Sequence, residues 1–305
     1  MTTSSPSPNP PPANHPYRFG VNVIAPDADW PSTAWEAERL GYDMIGTTDR
    51  LGMPAPFPSL VAAAMATHQI RVATYLTNTS LWEPEVLARE IAGTDRLVGG
   101  RLEVGLHQGQ SGCGATAALG ADERLARLAE TLDVLQRLLP DAEHQPQPVQ
   151  RPRPPLMVGA NEPAELELAA RRADAVCFVG ATLPPEGGLV LLSPDEFAER
   201  ADLVRTAASG RTPDLDDDRP LELNVGIKRV VVTEDRKAGA ESVRAFAPHL
   251  SLDELLDVPT LLIGTHQEMA EQLRGHRERH GLSSFMVLGP DLHAFAPVIP
   301  LLREG

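Results

Sequence analysis

Polar side chains that close short apolar runs make up the chemical vocabulary of this sequence. Asn22 lies in FGVNVI, Asp49 and Arg50 follow DMIGTT, Thr77 and Asn78 end IRVATYLTN, His107, Gln108 and Gln110 follow LEVGL, Asn161 follows LMVGA, and Lys228 interrupts LELNVGIKRVVVT. Neutral amides, one histidine and few carboxylates describe a site that positions and hydrogen-bonds a ligand more than it hydrolyses one. The glycine-rich text GLHQGQSGCGATAALG (105–120) would let backbone amides approach a ligand as phosphate-binding loops do. Its plainer reading is a flexible loop between a strand and a helix.

Other chemistries lose support on inspection. There is no P-loop signature, no GxGxxG after a strand and no GxSxG elbow, and Cys113 and Cys177 lie in no paired metal or redox motif. His276 and His280 in GHRERHG have the i, i+4 spacing of metal ligands, but charged residues separate them and no third ligand is evident. A solvated helix face is expected there, and no metal site.

The elements that must position these residues alternate regularly. FGVNVI (19–24) precedes TAWEAERLG, DMIGTT (43–48) precedes FPSLVAAAMATH, and IRVATYLT (70–77) precedes PEVLAREIAGTDRLVGG. LEVGL (102–106) precedes a helix over about 122–139, LMVGA (156–160) precedes EPAELELAARR, and DAVCFVG (174–180) precedes PDEFAERADLVRTAA. LELNVGIKRVVVT (221–233) reads as a seventh strand followed by helical text through the 270s, and SSFMVLG (283–289) as an eighth before a closing helix, HAFAPVIPLL. Runs of Val, Ile, Leu and Met without alternation are strands buried on both faces. Eight such pairs predict a parallel (β/α)8 TIM barrel, the alternative being a doubly wound open sheet. A proline-spaced stretch (140–154) and loops on either side of the sixth helix read as barrel insertions, with 181–193 and 209–220 shaping a substrate pocket. Barrels carry their active sites at the C-terminal strand ends, so the scattered polar residues converge on one rim.

Composition narrows the partners. The 305 residues carry 42 acidic against 27 basic side chains, a net charge of -15, and the resulting field repels nucleic acid and anionic lipid. No apolar run approaches the roughly 20 residues that span a bilayer. Residues 1–16 hold six prolines and are expected to form a flexible tail, leaving residues 17–305 as one domain. Two cysteines and an N-terminus without signal-peptide features point to a reducing cytoplasm.

The ordered succession of YRFGVNV, AERLGYDMIGTTDRL, APFPSLVAAAMATHQIRVATYLTN, EPEVLAREIAGTDRLVGGRLEVGL, PPLMVGANEPAELELAARRADAV, LELNVGIKRVVVTEDR, VPTLLIGTHQEMAEQLRGHRERHGLSSFMV and LHAFAPV resembles the luciferase-like monooxygenase superfamily. The likeness is strongest to its coenzyme F-420-dependent oxidoreductases. The resemblance implies a homodimeric barrel with insertions, in which reduced coenzyme F-420, a deazaflavin, or alternatively FMN, lies across the strand ends. It implies a cofactor site at Asp49, Tyr75, Leu76, Asn78, Gln108, Gly109, Gln110 and Asn161, with a bulge and a non-proline cis peptide at about Tyr75 and Leu76. The protein would orient the cofactor while the cofactor carries the redox chemistry.

Departures from the family pattern matter as well. Relatives with a deazaflavin often have His after the second-strand Asp and Glu at the end of the strand-four motif, where this sequence has Arg50 and Gln110. Arg50 stays protonated and suits a coenzyme phosphate or glutamate tail, or a substrate carboxylate, held by a bidentate fork; the alternative is a salt bridge to Asp49 or a neighbouring acid. His107 stands where relatives have glycine and, titrating near neutrality, is the candidate proton donor; the alternative is a ring that fills space under the ligand. Glu162 at a helix start favours the helix dipole but repels a phosphate. The expected activity is hydride transfer to a C=C or C=N bond of a specialised metabolite or modified peptide. The alternatives are an FMN-dependent monooxygenase and a degenerate barrel that binds a partner without catalysis.

Overall fold

The computed structural model describes residues 16–109, 119–182, 189–211 and 220–303. The chain runs through β1 (Arg18–Val23), α1 (Trp30–Arg39), β2 (Met44–Thr47), α2 (Pro56–Met65), β3 (Arg71–Asn78), α3 (Pro84–Leu97), β4 (Leu102–His107) and α4 (Ala121–Leu138). It continues through β5 (Leu156–Ala160), α5 (Pro163–Arg172), β6 (Ala175–Phe178), β7 (Ala181–Thr182), β8 (Val190–Leu191), α6 (Pro194–Ala208) and β9 (Glu222–Gly226). Then come β10 (Arg229–Val232), α7 (Arg236–Val243), α8 (Leu252–Asp257), β11 (Leu261–Gly264), α9 (His266–His280), β12 (Ser284–Leu288), α10 (Leu292–Phe295) and α11 (Val298–Arg303). None of the described helices is long and apolar enough to cross a membrane.

Eight parallel strands close into a barrel in chain order, β1, β2, β3, β4, β5, β6, β9 and β12, with β12 pairing back onto β1. This is the predicted (β/α)8 architecture, and its strands are buried on both faces as their unbroken apolar text requires. The helices pack the outer faces around Phe19, Ile45, Val72, Val104, Val158, Val225 and Phe285. A smaller cluster fills the interior: Met44, Ala73, Tyr75, Met157, Ala175, Cys177 and Met286. An ionic layer sits at the strand starts, where Arg18 donates to Glu222 at 2.9 Å and to Glu103 at 2.5 Å, and Arg71 also donates to Glu103.

Four expectations need correction. LELNVGIKRVVVT is not one strand: the Ile227 amide donates to the Met286 carbonyl at 2.8 Å, whereas the next amide, Lys228, donates to the Thr260 carbonyl at 2.7 Å. The chain leaves the barrel between them, and β10 pairs with β11 in a separate two-stranded parallel sheet. The strand β11 lies inside text read as helical, because four apolar residues between helices are too short to show a period. The closing helix is divided into α10 and α11, with Pro297 between them. His276 and His280 do not face solvent: both are buried, their rings stacked at 5.9 Å, with His280 edge-on to Phe197 at 5.4 Å.

Candidate active site

A cavity of about 500 Å³ opens at the C-terminal strand ends. Its character follows from the interior positions of each strand. Side chains alternate along a strand, so residues two apart share the barrel interior. At β3 this alternation breaks. The β3–β4 register shifts between Thr74 and Thr77, and the Tyr75–Leu76 peptide is cis, at the position the family resemblance implied. Tyr75 and Leu76 therefore both belong to the interior cluster and the cavity lining. Leu76 occupies room left by glycine at 105 and 159, where an added Cβ would lie 2.6 Å and 2.0 Å from its methyl carbons.

Tyr75 is fixed from below. Its hydroxyl donates to Asn224 Oδ1 at 2.8 Å, and Asn224 Nδ2 donates to Ser284 Oγ at 2.8 Å. With its proton so used, the Tyr75 oxygen is the acceptor for the Cys177 thiol at 2.9 Å. Burial pushes the Cys177 thiol up to about 11 and the Tyr75 phenol well above its usual value, so both are neutral at pH 7.

Beside Tyr75, Thr48 Oγ1 donates to the Tyr75 carbonyl at 2.8 Å and accepts from Asn22 Nδ2 at 3.2 Å. Asn22 Oδ1 is left buried with no partner among the described residues. Asp49 accepts from Trp82 Nε1 at 2.8 Å and the Asn78 amide at 3.3 Å, while burial raises its pKa. Arg50 is exposed at the rim and makes no ion pair among the described residues, so the alternative of a bridge to Asp49 is not what the structure contains.

His107 lines the cavity at the end of β4, but its expected titration near neutrality is overturned. Burial without a carboxylate partner pushes its pKa down to about 4. The Gly109 amide donates to His107 Nδ1 at 2.9 Å, which leaves the neutral ring with its proton on Nε2. Gly109 has φ of 84°, and an added Cβ would meet Asn78 Oδ1 at 2.5 Å, so this turn admits only glycine without a shift.

Three expected cofactor ligands, Gln108, Gly109 and Asn161, lie outside the cavity lining. Gln108 Nε2 donates to Glu165, whose other oxygen accepts from the Asn161 and Glu162 amides at 2.9 and 3.3 Å. The Asn161 carbonyl accepts from Arg200 Nε at 3.0 Å. Glu165 thus fills the N-terminus of α5 with a carboxylate, as the residue three positions into a helix commonly does, and Gln108 and Asn161 support it. Gln110 lies outside the described residues. Sequence reasoning did not find Trp82 as the partner of Asp49, nor the apolar walls Leu81, Phe178, Val179, Ile227, Met286 and Leu288. The alternation of interior positions carries the signal for three of these: Val179, two residues after Cys177 on β6, and Met286 and Leu288 on β12.

Among the described residues no cluster of three or more His, Cys, Asp or Glu is arranged to hold a metal. The cavity instead combines an apolar floor, an unpartnered amide oxygen, one half-buried carboxylate and two cations, Arg50 and Lys228. Such a mixture suits a largely apolar small molecule held by a few polar contacts.

Comparison with known proteins agrees with this architecture. The chain is 31% identical over 156 residues to the oxygenase component of the flavin-dependent trigonelline monooxygenase of Acinetobacter baylyi, a stretch covering 44% of this chain and 43% of that protein. It is 27% identical to the F420-dependent glucose-6-phosphate dehydrogenase of Kribbella flavida, over 94% of this chain and 98% of that one. The fold superimposes on an F420-dependent secondary alcohol dehydrogenase in complex with an F420-acetone adduct with a TM-score of 0.74 at 16% identity, covering 95% of this chain and all of that one. The family profile described as luciferase-like monooxygenase matches residues 28–250, and the chain belongs to that family.

Proposed function

We propose that this protein is an oxidoreductase that uses reduced coenzyme F-420 to transfer hydride to a C=C or C=N bond of a small metabolite or modified peptide. The observation that carries the reading is the cavity itself: Tyr75 and Leu76 push jointly into its floor, its walls are largely apolar, and Asn22 Oδ1 stands buried without a donor among the described residues. An orphaned acceptor of that kind costs about 1–3 kcal/mol unless a ligand N–H meets it, and a deazaflavin or flavin ring carries such a group. The fit to a tricyclic ring rests on these residues, and the two full or partial relatives named above support the same class of cofactor.

Bound here, the coenzyme would supply hydride chemistry. The chain's own residues bind, orient and exclude water. Leu76, Ile227 and Met286 offer apolar contact from below and beside, and Asn22 offers an acceptor at the wall. Asp49, held by Trp82 and the Asn78 amide, adds a fixed carboxylate close to the rim. His107 is neutral at pH 7 and serves as a hydrogen-bond donor through Nε2 instead of a store of protons. Arg50 at the mouth suits an anionic tail.

Fluorescence titration with coenzyme F-420 and, separately, FMN tests the cofactor. Consumption of reduced coenzyme F-420 on adding conjugated enones and cyclic imines then tests the reaction. Binding of coenzyme F-420 with acceptor-dependent oxidation supports the reading, whereas failure of both cofactors to bind overturns it. The similarity to a flavin-dependent monooxygenase favours FMN as the second reading, and FMN binding alone would select it.

A further inference from the structure

We propose that Lys228 is the specificity-determining cation of the cavity, and that it selects a substrate bearing a carboxylate. The inference rests on the reading of this cavity as an oxidoreductase active site. The chain holds only two lysines, and the other, Lys237, is exposed on α7. Lys228 is placed where the chain leaves the barrel, with its amide tied to the Thr260 carbonyl at 2.7 Å, so its backbone position is set by two elements at once. Gly226, two residues earlier, makes the room: an added Cβ there would lie 3.2 Å from the Tyr75 hydroxyl and 3.4 Å from Lys228 Nζ. Lys228 is half-buried, and its ammonium group lies near the Tyr75 hydroxyl in the wall of the cavity.

Nothing described in the chain balances that charge. Lys228 Nζ has no hydrogen bond and no ion pair among the described residues, although acidic side chains outnumber basic ones by 42 to 27. Cys177, whose thiolate would act on that charge, remains a thiol. Among the described residues the one carboxylate lining the cavity is Asp49, which already accepts from Trp82 and Asn78. An unpaired buried cation is costly, and burial lowers the Lys228 pKa accordingly. A ligand carboxylate removes the cost by supplying a single negative charge to a single ammonium. A phosphate dianion would leave an excess charge against the apolar wall formed by Phe178, Val179, Ile227 and Met286. Arg50 does not compete for this task because it lies exposed at the rim.

Two lysines make a direct measurement practical. Protein labelled with carbon-13 lysine shows one Cε signal for each, and Lys237→Arg assigns them. The pH titration is followed without ligand and with acetate, benzoate, acetamide or benzamide, first for the chain alone and then with coenzyme F-420 or FMN. The Lys228 midpoint is expected below the ordinary lysine value, and benzoate or acetate should raise it by about one pH unit while the neutral amides leave it in place. Lys228→Met should weaken carboxylate binding about tenfold and leave cofactor affinity within about twofold. A midpoint indifferent to both carboxylates overturns the proposal. So does a large loss of cofactor affinity in Lys228→Met, which would assign the ammonium to the cofactor and leave the oxidoreductase reading standing. A carboxylate-dependent shift in a protein that binds neither cofactor would support the anion site and overturn the redox reading.

Discussion

Leu76 fills the volume that a side chain at position 159 would need, its Cδ1 lying 2.0 Å from where a Cβ on Gly159 would stand. Gly105 yields to the same side chain, at 2.6 Å from Cδ2. Leu76 thus reaches the cavity floor between two glycines on neighbouring strands. Gly159→Ala is expected to displace Leu76 and destabilise the fold by about 1–3 kcal/mol. Urea unfolding of Gly159→Ala, Leu76→Ala and the double variant checks this. The double variant should cost less than the sum of the two singles, and strict additivity would show that the two residues do not compete for space.

The Asp49–Trp82 hydrogen bond gives a second test. Asp49→Ala strips Trp82 Nε1 of its acceptor and should destabilise by about 1–3 kcal/mol, with Asp49→Asn milder because an amide oxygen can still accept. Trp82 is one of three tryptophans, so subtracting the spectrum of Trp82→Phe isolates its emission. A shift of that emission in Asp49→Ala but not in Asp49→Asn is the expected outcome.

His107 should titrate near pH 4, as burial favours its neutral form. Imidazole nitrogen-15 shifts in wild type against His107→Gln measure this directly. A midpoint near 6.5 would restore the histidine as a proton donor at neutral pH. With the expected midpoint, turnover should show no acid limb from His107 between about pH 5 and 7.

The buried His276 and His280 predict how stability depends on pH. Burial lowers their pKa values to about 3 and about 4, and the nearby Arg279 guanidinium adds to the effect in both. A histidine depressed in the folded state binds fewer protons than the unfolded chain below about pH 6.5, so its contribution is complete above that value. It is lost as pH falls from there toward about 4. Urea midpoints should therefore drop between pH 7 and 5. His276→Phe should flatten that drop even where it changes stability at pH 7.

The barrel was legible in the sequence because its strands are buried on both faces and their apolar text is continuous, while helices such as α3, α4 and α5 mix buried apolar with charged residues. The extra strand β11 was not, since Leu261–Gly264 is too short to declare a period, and neither was the break after Ile227, which depends on which carbonyls the two successive amides reach. Strand ends also marked Asp49, Arg50, Asn78, His107 and Lys228 as neighbours of the cavity.

What the sequence by itself determined is the architecture and the rim on which the polar residues gather, because both follow from local periodicity and from the direction of parallel strands. Which of those residues face the ligand was decided only by the tertiary structure. Asn161 and Gln108 sit at strand ends like His107, yet Glu165 claims them for the start of α5. His107 and Lys228 owe their weakened hold on protons to burial among side chains brought from other strands. A side chain's charge state depends on what surrounds it in space, and neighbours distant in the chain are set only when the barrel closes.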